Sequence, residues 1–153
     1  AWGEAQLRNV LEMAGLREGI DFTLQTSNTD ADGQRRRPDA ILKMPGGREL
    51  VVDSKCSLAD YLAASEAGTE GDRLAALKRH AMSVRSHAKG LSEKGYWKDF
   101  AASADFVVMF LPGENFLSAA LEQDLELLAW ALDQRILLAG PTNLLAIARV
   151  VAM

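Results

Sequence analysis

The chain has 153 residues, enough to bury the core of a single domain, and its 48% hydrophobic and 25% charged content is ordinary for a soluble globular protein. Its one cysteine, Cys56, excludes an internal disulfide and a cysteine-rich metal site, and the net charge of −4 argues against a generic nucleic-acid binder. No signal peptide is visible, and the longest uncharged run, residues 136–148, is too short to span a bilayer. We therefore expect a soluble domain from a reducing compartment and, because the chain starts with Ala1, a piece of a longer protein.

Hydrophobic periodicity predicts ten helices and strands. In chain order they are a helix over residues 3–15, three strands over 21–27, 38–44 and 48–55, two helices over 58–66 and 73–92, a strand over 104–111, a helix over 115–133, a strand over 135–139 and a helix that starts at Pro141. A strand meander followed by helices that alternate with apolar strands predicts an α/β sandwich with a mixed β-sheet flanked by helices.

Two acids lie on the strands that Pro45-Gly46-Gly47 joins. If all three of these residues form the loop, Asp39 faces Asp53 across the hairpin, and Lys55 lies on the same face of its strand. If only the two glycines form the loop, the register shifts by one residue and Asp39 points to the opposite face.

Directly opposed carboxylates lie about 5 Å apart and repel each other, so either one is protonated or a cation lies between them. Mg²⁺ binds carboxylate oxygens at about 2.1 Å, and Lys55 would then lie beside the metal. The alternative is that Asp39 only begins a strand and that Asp53 and Lys55 form an exposed ion pair worth under about 1 kcal/mol.

Glu4 and Cys56 also have two interpretations each. Glu4 falls on the apolar stripe of the first helix with Leu7 and Leu11, where it would be a third acid of a site, but a helix dipole also favours an acid in the first turn. Cys56 is either a nucleophile or a small buried hydrophobe.

Basic residues are concentrated in residues 71–100, whose net charge is +4 while the remainder of the chain carries −8. On the predicted long helix, Lys78, Arg85 and Lys89 lie on one rim of the apolar stripe, and His80 and His87 near the opposite rim. The cationic rim and the run Arg35, Arg36 and Arg37 are candidate DNA-backbone contacts or, alternatively, solvated surfaces. The helix start at Pro141–Asn143 is either a phosphate site or a simply capped terminus.

Several stretches of the chain resemble the RmuC family of bacterial DNA recombination proteins. They are WGE (2–4), LEMAGLREGIDF (11–22), RPDAIL (37–42), PGGRELVVDSKCSL (45–58), HAMSVRSHAKGLSEKGYW (80–97), DFVVMFLP (105–112) and GPTNLLAIARVVA (140–152). Within them, Pro38-Asp39 and Asp53-Ser54-Lys55 resemble the PD-(D/E)xK nuclease signature, with Asp53 where many such nucleases carry Glu.

The resemblance implies a restriction-endonuclease-like fold over a single domain, residues 1–153, which in the family follows a hydrophobic anchor and a long coiled coil. It implies a role in DNA recombination that limits rearrangement at inverted repeats and, by analogy, a nuclease that uses Mg²⁺ or Mn²⁺. Asp39 and Asp53 would bind the metal, Lys55 would be the catalytic lysine, and Glu4 would match the helical acid of such folds.

The partner implied by the resemblance is branched, single-stranded or inverted-repeat DNA in the bacterial cytoplasm, with self-association through the coiled coil and no membrane contact by this domain. Two other functions stay open at this point: a DNA-binding module that does not cleave, and a structural domain that meets protein partners.

Overall fold

The structure is a computed structural model that describes residues 2–24, 38–54, 56–94 and 103–152. Its elements are α1 (Trp2–Met13), β1 (Phe22–Leu24), β2 (Ala40–Lys43), a 3₁₀ turn (Pro45–Gly47), β3 (Glu49–Asp53), α2 (Ala59–Ser65), α3 (Glu70–Lys94), β4 (Ser103–Phe110), α4 (Glu114–Gln123), α5 (Leu127–Asp133), β5 (Ile136–Ala139) and α6 (Pro141–Ala152).

The five strands form one mixed sheet in the order β1-β2-β3-β4-β5. The first three strands pair antiparallel, while β4 is parallel to both β3 and β5. A parallel pair needs a crossover connection, which the helices between β3 and β4 and between β4 and β5 provide. The predicted mixed sheet flanked by helices is confirmed.

The β2–β3 hairpin has the register that the longer of the two predicted loops requires. Ile41 pairs with Val51, and the amide of Met44 donates to the carbonyl of Arg48 at 2.7 Å, so Pro45–Gly47 is the loop. Gly46 has φ 79° and its neighbour φ 76°, left-handed conformations that glycine adopts without steric cost. The register therefore follows from the glycines of the turn.

Helices cover both faces of the sheet because the strands alternate buried side chains between two cores. Val52, Val108 and Phe110 pack in a core with residues of α1 and α6, while Val51 and Met109 pack in a second core with residues of α3, α4 and α5. Side chains alternate along a strand, so Asp53 points to the α3 side together with Val51.

Helix α3 begins three residues before its predicted start. Thr69 accepts a hydrogen bond from the amide of Asp72 at 3.1 Å, which caps the helix and allows Glu70 to form its first turn. The apolar residues at helical spacing along α3 are buried at Leu77, Ala81, Val84, Ala88 and Leu91, whereas Leu74 is exposed.

The single helix predicted over residues 115–133 is wrong, because the chain leaves helical geometry at Asp124, which has φ −136° and ψ 92°. The Asp124 carboxylate accepts hydrogen bonds from Arg85 at 2.9 Å and from the amide of Glu126 at 3.3 Å. These tertiary and local contacts stabilise the break between α4 and α5.

The strand predicted over residues 21–27 is seen only as Phe22–Leu24, and its end lies outside the described residues. Among the helices of the described ranges, none combines the length and the apolar character needed to cross a bilayer.

Candidate functional site

Two acids are buried together where β2 begins and β3 ends. Ala40 pairs with Val52, and the next step of the same register places Asp39 beside Asp53. Asp39 is 2% exposed and Asp53 is 3% exposed. This burial contradicts the alternative in which Asp53 belongs to an exposed surface ion pair.

Asp39 is held by the residue that follows β3. Its Oδ2 accepts a hydrogen bond from the Ser54 amide at 2.7 Å and from the Ser54 hydroxyl at 3.3 Å. A buried carboxylate needs such donors because its desolvation is costly. Ser54 thereby links the start of β2 to the end of β3.

Asp53 is contacted from the opposite layer by His87 of α3, whose Nε2 lies 3.3 Å from Asp53 Oδ1. When Asp53 is ionised, its carboxylate accepts and Nε2 donates the hydrogen in this contact. The His87 side chain is 26% exposed, and it therefore connects the buried acid with the protein surface. The position of His87 on a rim of α3 does not by itself indicate this contact.

His80, two helical turns earlier, does not join this site. It is fully buried, and its Nε2 is 2.8 Å from the carbonyl oxygen of Phe116. His80 and His87 therefore have separate partners, Phe116 and Asp53.

The first turn of α1 lies at the end of the sheet where Asp39 and Asp53 are buried. A Cβ atom on Gly3 would lie 3.5 Å from the carbonyl oxygen of Ser54. Glu4, the next residue, is partly buried and lies in this first turn. The fold therefore brings the helical turn that carries Glu4 beside the segment that binds Asp39.

Cys56 is a buried thiol next to the acids. Burial and, second, the negative charge of Asp53 raise the pKa of Cys56 from 9.0 to about 12. Its Sγ donates to the carbonyl of Ser57 at 3.6 Å. A thiol with this pKa is protonated at neutral pH, which favours the buried-hydrophobe interpretation over the nucleophile.

The acids suit a hard divalent cation only if other ligands complete its shell. Within the described ranges, no group of three or more His, Cys, Asp or Glu residues could hold a metal ion. Zn²⁺ sites take three or four protein ligands, whereas Mg²⁺ keeps several waters and is bound through one or two carboxylates plus substrate phosphates. Asp39 and Asp53 could therefore supply two of the ligands of Mg²⁺ or Mn²⁺, and water and a phosphate would have to supply the others.

The three basic residues of α3 that were predicted to contact DNA lie on the side of the helix away from His87. Lys78 and Lys89 are exposed. Arg85 pairs with Asp124 at 2.9 Å and lies 4.3 Å above the ring of Trp130. At 3.6 residues per turn, these three basic residues lie about 160–180° around the helix from His87.

Lys55 and the run Arg35, Arg36 and Arg37 lie outside the described residues. Their roles stay predictions.

The start of α6 is capped by the protein itself. Glu114 Oε1 accepts a hydrogen bond from the Thr142 amide at 2.6 Å, and Asn143 Oδ1 accepts from the Gly140 amide at 3.3 Å. A Cβ on Gly140 would lie 2.6 Å from Glu114 Oε2, so a larger residue here would displace the capping carboxylate. The capping interpretation is confirmed, and a carboxylate occupies the position considered for a phosphate.

The chain matches a known protein family over its whole length. Residues 1–153 match the model of the RmuC family. A DNA recombination protein RmuC homolog of Zymomonas mobilis is 53% identical over 151 residues, covering 99% of this chain and 34% of the relative. The corresponding homolog of Pseudomonas aeruginosa is 42% identical, covering 98% and 33%.

A more distant relative is also matched over nearly the whole of this chain. The DNA recombination protein RmuC of Escherichia coli is 38% identical over 152 residues, covering 99% of this chain and 32% of the relative. The chain thus spans about a third of the length of these relatives. No solved structure matches it.

Proposed function

The chain belongs to the RmuC family, and from that premise we propose that it is a DNA-processing domain that holds Mg²⁺ or Mn²⁺ at Asp39 and Asp53 and hydrolyses phosphodiester bonds in DNA recombination. The proposal rests on one observation, which is the burial of these two carboxylates side by side at the end of β3. The proposed biological role is to limit rearrangement at inverted repeats.

The arrangement of the strands supports a restriction-endonuclease-like core. A β-hairpin, β2–β3, carries the acids at its open end, and α3 crosses over to the parallel strand β4. The acids and the expected position of Lys55 follow the order of the PD-(D/E)xK signature.

Repulsion between the acids gives the physical reason for a cation. Two ionised carboxylates that are both nearly inaccessible to water destabilise each other, and a divalent cation would remove that repulsion. When bound, Mg²⁺ polarises a phosphate and lowers the pKa of a coordinated water. Both effects promote the hydrolysis of a phosphodiester.

Each protein group has a distinct part in the proposed reaction. Ser54 orients Asp39, and His87 orients Asp53, through the hydrogen bonds described above. Lys55 would stabilise the negative charge that develops on the phosphate. Glu4 would add a further acid from α1.

A cleavage assay tests the proposal. Labelled single-stranded and branched DNA are incubated with the wild-type chain and Mg²⁺ or Mn²⁺, and with Asp39→Asn, Asp53→Asn and Lys55→Ala variants whose folding is checked by circular dichroism. Asp60→Asn is the matched control, because Asp60 pairs with Arg79 at 3.2 Å in an exposed position. Cleavage that is lost in the three site variants and retained in the control supports the proposal, whereas cleavage that survives in all of them contradicts it.

A DNA-binding domain that does not cleave is the second candidate. It is favoured by the exposed lysines of α3, Lys78, Lys89 and Lys94, which could contact phosphates without a metal. This function predicts salt-dependent DNA binding that neither metal removal nor Asp53→Asn changes. The same samples, measured for binding and for cleavage, separate the two candidates.

A further inference from the structure

We propose that a groove along α3, next to His87, binds the phosphodiester backbone of a single DNA strand, and that the bound strand continues to the proposed reaction site at Asp53. This deepens the function proposed above and rests on its premise that the ligand is DNA. The groove is defined here by Ser57, Ser83, Ser86, His87, Gly90 and Lys94 and is called the α3 groove.

The position of the α3 groove connects it to the buried acids. The cavity has a volume of about 430 Å³, and His87, one of its walls, contacts Asp53. This volume is within the range of roughly 300–1,000 Å³ that is usual for ligand sites. A chain of phosphates bound here would therefore pass directly beside the proposed reaction site.

The chemistry of the walls suits a phosphate backbone. Three serine hydroxyls, the imidazole of His87 and the ammonium of Lys94 line the cavity together with Gly90 and Leu91. Serine hydroxyls and lysine are common donors to phosphate oxygens, and such contacts carry no base specificity. None of the described residues that line the groove is acidic.

Gly90 keeps the groove open at a cost to the helix. It lies inside α3, where glycine is less favourable than alanine by about 1 kcal/mol. No atom lies within 4 Å of a Cβ built on Gly90, so packing in the described structure does not require glycine there. The free space in front of Gly90 is the space that the backbone of the strand would use.

DNA binding in the α3 groove and DNA binding at the cationic rim of Lys78, Arg85 and Lys89 would be weakened by different substitutions, because the two surfaces lie on different faces of α3. Lys94 lies within about 20° of His87 around the helix, whereas Lys89 is about 160° away. Both lysines are exposed side chains of α3 that lie on different faces of the helix, so Lys89 serves as the control for Lys94.

The test is DNA binding in EDTA, measured by the fluorescence anisotropy of a labelled single strand of about 20 nucleotides, longer than the roughly 4–16 nucleotides that a single-strand-binding fold covers. A labelled duplex of the same sequence is the second probe. The variants are Gly90→Leu and Lys94→Ala, and their controls are Gly71→Leu and Lys89→Ala. Gly71 is also a glycine of α3 with no atom within 4 Å of its Cβ position.

We expect Gly90→Leu to weaken binding of the single strand by about tenfold, and Lys94→Ala to lower the slope of log Kd against log salt by about 0.7, the value for one phosphate contact. Both controls should bind within about twofold of wild type, because they lie away from the groove. A larger loss for the single strand than for the duplex supports the groove as a single-strand site.

Two results would overturn the α3 groove: Gly90→Leu and Lys94→Ala bind like wild type, or both controls lose as much affinity as the groove variants. A failure of the proposed nuclease looks different, because DNA cleavage is then absent while groove variants still lose binding in EDTA. Conversely, metal-dependent cleavage with unchanged binding by the groove variants would support the nuclease and contradict the groove.

Discussion

The imidazole Nε2 of His87 lies 3.3 Å from Oδ1 of Asp53, a residue 34 positions earlier in the chain. The contact joins the middle of the sheet to the helix that crosses over it. Because Asp53 is buried and His87 is partly exposed, this pair connects the proposed metal site with the α3 groove.

The first prediction concerns this pair. His87→Ala removes a hydrogen bond to a buried carboxylate and should lower the free energy of unfolding by about 1 kcal/mol, the usual net value of such a bond. His87→Gln, which keeps a donor, should lose less. The measurement is urea denaturation followed by circular dichroism, and equal stability of all three proteins would show that the contact contributes nothing.

The second prediction concerns Cys56 and the dependence of stability on pH. Burial and, second, the charge of Asp53 raise the pKa of Cys56 from 9.0 to about 12. The folded protein holds the thiol proton more tightly than the unfolded chain, so this contribution to stability is complete below pH 9 and is lost as pH rises from 9 towards 12. Wild type should lose up to about 1.4 kcal/mol per pH unit more than Cys56→Ala in that window. Parallel stability curves for the two proteins would contradict the raised pKa.

The third prediction concerns Gly140 and Glu114. Gly140→Ala would place a Cβ 2.6 Å from Glu114 Oε2, the far end of an exposed side chain. We expect that carboxylate to move off the start of α6, which should destabilise the fold by about 1 kcal/mol, the usual cost of a lost helix cap. In a Glu114→Ala background, the same change should cost less because the neighbouring carboxylate is gone. A double-mutant cycle measured by thermal unfolding checks this, and strictly additive costs would show that Glu114 is not the obstacle.

The fourth prediction concerns Arg85, whose guanidinium joins Asp124 and Trp130. The hydrogen bond with Arg85 also lowers the pKa of Asp124. Arg85→Ala should destabilise the fold by about 1 kcal/mol, since partly exposed ion pairs and cation–π contacts are each worth that or less. DNA binding of the folded variant should match wild type, and a selective loss of affinity with unchanged stability would instead place Arg85 in a DNA interface.

The sequence predicted the register of the β2–β3 hairpin better than it predicted the helices around it. The hairpin register followed from Pro45-Gly46-Gly47 and strand alternation, because both are local, and it placed Asp39 beside Asp53. The break at Asp124 was missed because it depends on Arg85, a tertiary partner 39 positions away.

The role of His87 was missed for a related reason. Periodicity shows which side of α3 is apolar, but the rotation of the helix against β3 decides which rim meets Asp53. The signal that was present is the position of His87 on the rim opposite Lys78 and Lys89. Only the packing of α3 on the sheet shows that this rim contacts Asp53.

The measurement that tests the central claim most directly is a calorimetric titration of Mn²⁺ into the wild-type chain, Asp39→Asn, Asp53→Asn and the Asp60→Asn control. We predict saturable binding to wild type and to the control, and its loss in both site variants, because the two buried carboxylates supply the protein ligands. Equal Mn²⁺ binding by all four proteins, or none by the wild type, would contradict a metal site at Asp39 and Asp53.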